Sequence, residues 1–253
     1  MYHSGFFLHL AHYAVHTPIQ AIESVADRYR REGKSDVNAR YAALVESVDD
    51  ATGQLLAALE EQGVLQRTVI LFTSDNGGLD NDGRPTDNAP LRSGKGYAYE
   101  SGIRVPMLVR WPGVVPAGSV SKTPVCSIDI FPTILDAAGV APPADREIDG
   151  VSLVDHFRSG GVAALPRDEL YWPFPHYRHA PGPYSILRKG DQKLIKFWAG
   201  ETELYNLRDD LGEATDLAGD QPEQAAELER RLLDGLREMG AKLPIPNPEY
   251  RPE

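Results

Sequence analysis

Apolar and polar positions follow different rhythms along this chain, and each rhythm predicts a different element. From about Asp36 to Gln62 the apolar residues Tyr41, Leu44, Val45, Val48, Leu55, Leu56 and Leu59 recur at helical spacing, and Gly63 stands just past the end, where left-handed geometry favours glycine. This predicts one long amphipathic helix. Thr68 to Ser74 is a β-branched and apolar run too short for a helix, and it reads as a central strand buried on both faces. Phe6 to Leu10 reads as a short buried strand, followed by the loop AHYAVHTPIQ, in which Pro18 discourages a helix. Val105 to Trp111 makes another strand, and strand, helix, strand in that order predicts a parallel sheet.

A polar, Gly- and Asn-rich stretch from Gly77 to about Ser101 separates two of these strands. It far exceeds the roughly two to six residues usual for such connections, and loops of that length are commonly functional. Ser127 to Gly139 predicts a capped helix with Pro132 in its first turn and Gly139 ending it. The linker VAPPADREIDG closes this layer, and beyond it the rhythm changes to strict alternation. YSILRKGDQKLIKF, Tyr184 to Phe197, predicts two strands around Lys189-Gly190-Asp191, and TELYNL a third. Pro222 to Met239 predicts a helix with an acidic first turn, as the helix dipole prefers. The expected organisation is an α/β layer over residues 1–150 and a small α+β unit over residues 151–253.

Composition narrows the class. Lys plus Arg number 26 against 37 for Asp plus Glu, a net charge of −11, which argues against nucleic acid because that affinity rests on clustered positive charge. An anionic small substrate stays open, since local positive charge or a metal ion can dominate one cleft. Cys126 is the only cysteine, so the chain holds no internal disulfide and no Cys-based zinc site. No apolar run approaches the roughly 18 residues of a membrane span. The N-terminus lacks a basic region and a small-residue cleavage site, so it does not read as a signal peptide, and it resembles the inside of a domain more than its start.

The stretch VILFTSDNGG, Val69 to Gly78, carries the first candidate chemistry. Ligands of open α/β sheets bind beyond the carboxyl ends of strands, and Asp75 and Asn76 would present there the hard oxygen atoms that Ca²⁺ or Mg²⁺ selects. The same residues also fit a plain turn, because Asn-Gly favours positive φ. Lys95, between glycines, sits on backbone that can approach a ligand closely, and its ammonium offers three donors to an anionic oxygen. His16 could donate to an anion or act as a general acid. His176 and His179 lie among aromatics and prolines in YWPFPHYRHAPGPY, either as substrate contacts or as part of a packed irregular loop.

The order of these segments resembles a family. FFLHLAHYAVHTPIQ, YAALVESVDDATGQLLAALEEQG, TVILFTSDNGG, PLRSGKGYAYESGIRVPMLVRWPG, SIDIFPTILDAAG, DGVSL and LRKGDQKLI…ELYNLRDDLGEATDLA are similar to successive blocks of the sulfatases of the alkaline-phosphatase-like superfamily, from about Phe6 to Tyr250. The resemblance implies an α/β/α sandwich, incomplete at its N-terminal side, with a small C-terminal antiparallel sheet and helix. It implies that Asp75 and Asn76 bind a divalent cation, usually calcium, and that Lys95 and His16 hold the sulfate oxygens and steady the leaving group. His176 would lie in a region that in similar enzymes comes near the mouth of the site.

The nucleophile of that family is a formylglycine made from Cys or Ser in C/S-x-P-x-R, and no Cys or Ser of this chain is followed by x-Pro-x-Arg. Asp209-Asp210-Leu211-Gly212 matches the letters of the family's other metal motif but falls in a C-terminal turn segment, and Asp49-Asp50 falls inside the long helix. The expectation is the later half of a sulfatase, inactive alone, with a sulfate ester as substrate and either the N-terminal half or another copy as partner. Two alternatives remain: a non-catalytic domain that binds an anion or a partner, and a phosphoester or phosphonate hydrolase of the same superfamily.

Overall fold

Two helices, α1 (Glu23–Arg31) and α2 (Asp36–Glu61), pack on each other in the first of two units into which this computed structural model divides, Met1–Thr68 with Asn81–Asp87. The structure describes residues 5–79, 86–179, 181–245 and 247. The helical spacing foresaw α2 within one residue at its end. Ser35 starts it by accepting a hydrogen bond from the Asn38 N–H at 3.3 Å. Ser35→Ala should therefore cost about 1 kcal/mol, read as a lower urea midpoint. Helix α1 covers only the first turns of the apolar stripe, burying Ala39, Ala43 and Leu44 against Ala26, while Val45 is exposed and Leu55 and Leu56 are half-buried.

The strand expected at Phe6 to Leu10 is not formed. Those residues have no regular structure, and Phe6, Phe7, Leu8 and Leu10 are all exposed. An apolar run becomes a strand only where a neighbouring strand takes its N–H and C=O groups, and none does so among the described residues. Asp49 and Asp50 face solvent on α2.

The second unit, Val69–Asp80 with Asn88–Glu253, contains two sheets among the described residues. Strand β1 (Ile70–Thr73) pairs with β2 (Met107–Arg110), but antiparallel, with Ile70 opposite Arg110 and Thr73 opposite Met107. The parallel, doubly buried arrangement expected for this strand is thus corrected: Phe72 is 38% exposed and Leu108 61%. Among the described residues the connection carries only the four-residue helix α3 (Glu100–Ile103), and backbone bonds from Lys95 N–H to Gly78 O (2.8 Å) and Gly77 N–H to Gly102 O (3.2 Å) fold it back beside the end of β1. The chain therefore returns in the reverse direction.

Helix α4 (Ile130–Ala137) begins as expected, after a short 3-10 turn. Its anchor is the fully buried Asp129, which accepts from the N–H groups of Cys126 (2.8 Å) and Val151 (3.0 Å) and pairs with Arg167. A five-residue helix, α5 (Val154–Arg158), follows.

The alternating C-terminal rhythm forms a four-stranded antiparallel sheet in the order β3 (Glu169–Phe174), β4 (Tyr184–Lys189), β5 (Gln192–Phe197), β6 (Thr202–Asn206). The sequence reading predicts no strand at β3. Its Pro173 is tolerated because β3 is an edge strand. Leu187, Leu194 and Leu204, opposite one another across three strands, face Leu228, Leu232 and Leu236 of helix α6 (Pro222–Glu238). The other face, with Tyr184, Ile186, Ile195, Phe197 and Tyr205, packs on Ala98 and Tyr99. The sheet is therefore the floor beneath the loop that carries Lys95.

Candidate functional site

At the end of β1 the backbone turns sharply, and Gly77 is what permits the turn. A Cβ on Gly77 would stand 1.5 Å from the Ser101 carbonyl oxygen, so no other residue fits without moving one of the two strands of backbone. The Ser74 hydroxyl donates to Asn76 O at 2.9 Å, and the Asn88 side-chain amide donates to Gly78 O at 3.3 Å and Ser93 O at 3.0 Å. Asp75 projects into solvent with no hydrogen bond or ion pair among the described residues. Asn76 is half-buried and donates from Nδ2 to Gly77 O at 3.1 Å, leaving Oδ1 as an acceptor.

Lys95 is half-buried, and its ammonium has no acceptor among the described residues. Its backbone is held from both sides: the N–H bonds to Gly78 O, and the carbonyl accepts from His179 Nε2 at 3.2 Å. The His179 ring stacks on Tyr97 with centroids 4.1 Å apart and planes 2° from parallel. The Tyr184 hydroxyl donates to Gly96 O at 3.3 Å. Asp75-Asn76 and Lys95 thus share one backbone scaffold, tied through Gly78.

Below this loop lies a buried ionic cluster. Lys193 on β5 has its ammonium 3.0 Å from Glu100 Oε1 and 2.7 Å from Glu213 Oε1, and all three side chains are fully buried. Glu213 also accepts the Glu100 N–H at 2.6 Å, and Arg104 and Arg188 approach the second Glu100 oxygen at 3.3 and 3.5 Å. Burial pushes the Glu213 carboxyl above its ordinary value, against the pull of Lys193. Arg92 lies 3.7 Å over the Tyr99 ring and donates to the Tyr205 hydroxyl at 3.1 Å and Glu213 O at 2.8 Å. Burial and the Glu203 carboxylate raise the Tyr99 phenol to about 12, so it stays a proton donor.

His16 belongs to the first unit. It is exposed, its Nδ1 lies 2.7 Å from Thr17 O, and since a carbonyl only accepts, Nδ1 carries the proton and Nε2 is the open nitrogen. His176 is exposed, with its ring edge-on to Phe174 at 5.0 Å. The sequence reading puts His176 forward as the substrate contact, but it is His179 that touches the Lys95 segment. The Lys193 cluster was missed altogether. Its signal was available: alternation along QKLIKF puts Lys193 on the same face as Ile195 and Phe197, and a charge in an apolar row must find a buried partner.

The oxygens of Asp75 and Asn76 suit a hard cation in kind. In number they fall short, since calcium takes roughly 6–8 oxygen ligands, and no group of three or more His, Cys, Asp or Glu among the described residues is placed to hold a metal. No helix among them is long and apolar enough to cross a membrane.

Comparison with known proteins bears on this geometry directly. Residues 3–140 match the family model Sulfatase, and residues 93–242 match the model described as N-sulphoglucosamine sulphohydrolase, C-terminal. A sulfatase of Formosa agariphila is 36% identical over 92% of this chain and 46% of its own length. The crystal structure of Ps i-CgsB in complex with k-i-k-neocarrahexaose superposes with a TM-score of 0.77 at 30% identity, covering 88% of this chain and 48% of that one. The phosphonate monoester hydrolase of Agrobacterium radiobacter gives a TM-score of 0.64 at 28% identity, over 81% of this chain and 42% of its own. The chain spans less than half the length of each of these relatives.

Proposed function

The chain belongs to the sulfatase family, and from that premise we propose that it carries the Lys95 side of a site that hydrolyses a sulfate ester of a carbohydrate. One observation carries the reading: an ammonium without a protein acceptor is fastened, by the Lys95 N–H to Gly78 O bond of 2.8 Å, to the turn that presents Asp75 and Asn76. Sulfate-ester cleavage places charge on the sulfuryl oxygens and on the departing oxygen. A cation fixed in place before reaction stabilises that charge without reorganising. In this proposal Lys95 binds the sulfuryl oxygens and His176 contacts the substrate. Asp75 and Asn76 supply two oxygens to Ca²⁺ or Mg²⁺, with the remaining ligands from outside the described residues. A bound cation would add Lewis-acid polarisation of the sulfate. Residues 1–150 then act as the later part of the α/β core and residues 151–253 as a supporting subdomain. The carbohydrate class is suggested by the family description matched at residues 93–242 and by the oligosaccharide bound to Ps i-CgsB.

Since no Cys or Ser here is followed by x-Pro-x-Arg, the nucleophile in this reading comes from a further length of sulfatase polypeptide, and the chain alone does not turn over. The pure chain should release no product from an aryl sulfate with or without Ca²⁺; sustained release would contradict this half of the reading. Inorganic sulfate, titrated by NMR, should bind about tenfold more weakly to Lys95→Ala, as expected for losing a charge-assisted hydrogen bond. Unchanged sulfate affinity would remove Lys95 from the site. A second reading, hydrolysis of a phosphonate or phosphate monoester, is favoured by the likeness to the phosphonate monoester hydrolase. Tighter Lys95-dependent binding of phosphate than of sulfate would select it.

A further inference from the structure

We propose that Arg178 reads a second anionic group on the substrate, making this site one for sugars that carry a sulfate or carboxylate beside the sulfate to be cleaved. The inference rests on the sulfatase reading of Lys95 and deepens it. Arg178 lies in the connection between β3 and β4, which crosses directly over the loop of Lys95. Gly96 has φ +88°, and a Cβ there would stand 2.3 Å from Arg178 Nε and 2.4 Å from its Cδ, so glycine is what lets the arginine stem lie on this backbone one residue past Lys95. The crossing is pinned next door by the His179 bond to Lys95 O and the His179–Tyr97 stack, and it is closed by Gly182 N–H to His179 O at 2.7 Å.

Other arginines around this loop already have acceptors: Arg92 at Tyr205 and Glu213, and Arg104 and Arg188 at Glu100. Arg178 is exposed and has neither a hydrogen bond nor an ion pair among the described residues. The half-buried Lys95 likewise has no acceptor for its ammonium among the described residues. Both side chains rise from one crossing of backbone without a protein counter-charge, so a ligand with two anionic groups can engage both where a monoanion engages one. The guanidinium fork suits the task, because it meets sulfate or carboxylate through two parallel N–H donors.

The test titrates the chain, by NMR, with N-acetylglucosamine-6-sulfate, which has one anionic group, and with glucosamine-2-N,6-O-disulfate, which has two. Wild type should prefer the disulfated sugar by about tenfold, the scale of one charged hydrogen-bonding pair near a surface. Arg178→Gln should abolish that preference while leaving the monosulfated sugar unchanged, and Arg178→Lys should keep part of it. An equal loss in Lys122→Gln, an exposed lysine remote in sequence from the loop, would mark a general charge effect and overturn the proposal. So would a wild type without preference, or a preference that survives Arg178→Gln. Sulfate binding that depends on Lys95 together with no role for Arg178 would sink this inference alone; sulfate binding indifferent to Lys95 would sink the underlying reading as well.

Discussion

Lys193→Met is expected to destabilise the second unit by about 3–5 kcal/mol, the usual cost of removing one partner from a buried ion pair. Methionine fills the space, so packing alone would predict a mild effect. What remains is two carboxylates, Glu100 and Glu213, buried together without the ammonium that lay 3.0 and 2.7 Å from them. Glu213→Gln should cost less, because its amide oxygen can still accept the Glu100 N–H and Lys193 keeps Glu100. The pH dependence has a definite sign. The folded Glu213 carboxyl sits above its ordinary value of about 4.3, so the stability linked to it is fully present below that value and is lost as pH rises through the raised one. The gap between wild type and Lys193→Met should therefore be wider at pH 7 than at pH 4. Urea unfolding at both values measures it, and an equal gap would mean that charge is not the cause.

Gly77→Ala is expected to cost roughly 3 kcal/mol or more, beyond an ordinary overpacking change. The obstacle is the Ser101 carbonyl, 1.5 Å from where the new Cβ would lie, and backbone cannot rotate aside as a side-chain tip can. Relief requires parting the Asp75–Gly78 turn from α3, which breaks Gly77 N–H to Gly102 O and strains Lys95 N–H to Gly78 O. Amide hydrogen exchange at Lys95 should accelerate accordingly. Sulfate binding should weaken with it, since the same bond joins the two halves of the candidate site. Retained protection at Lys95 in a folded Gly77→Ala would show that the turn and the lysine loop are not one mechanical piece.

Helix α2, the β4–β5 hairpin and α6 were legible because the information for them is local. A stripe at helical spacing, an alternation broken by Gly190-Asp191 and an acidic first turn each specify their element within a few residues. The polar end of β1 was legible for the same reason, and the family resemblance singled out Lys95 without any knowledge of the loop's path. Phe6 to Leu10 misled because an apolar run has the same letters whether or not a neighbour pairs with it. Strand β3 was hidden by Pro173, which reads as a breaker until its edge position is known.

By itself the sequence determined which residues could form helices and strands, the family, and the donors available at Asp75, Asn76, Lys95 and His16. Only the tertiary structure decided that β1 and β2 run antiparallel, that His179 rather than His176 holds the lysine loop, and that Lys193 pairs with both Glu100 and Glu213. Periodicity is a property of neighbouring residues. Direction of pairing, partner choice and the compensation of buried charge depend on residues as far apart as Glu100 and Glu213, 113 positions, or Arg92 and Glu213, 121 positions, and only the folded chain brings those together.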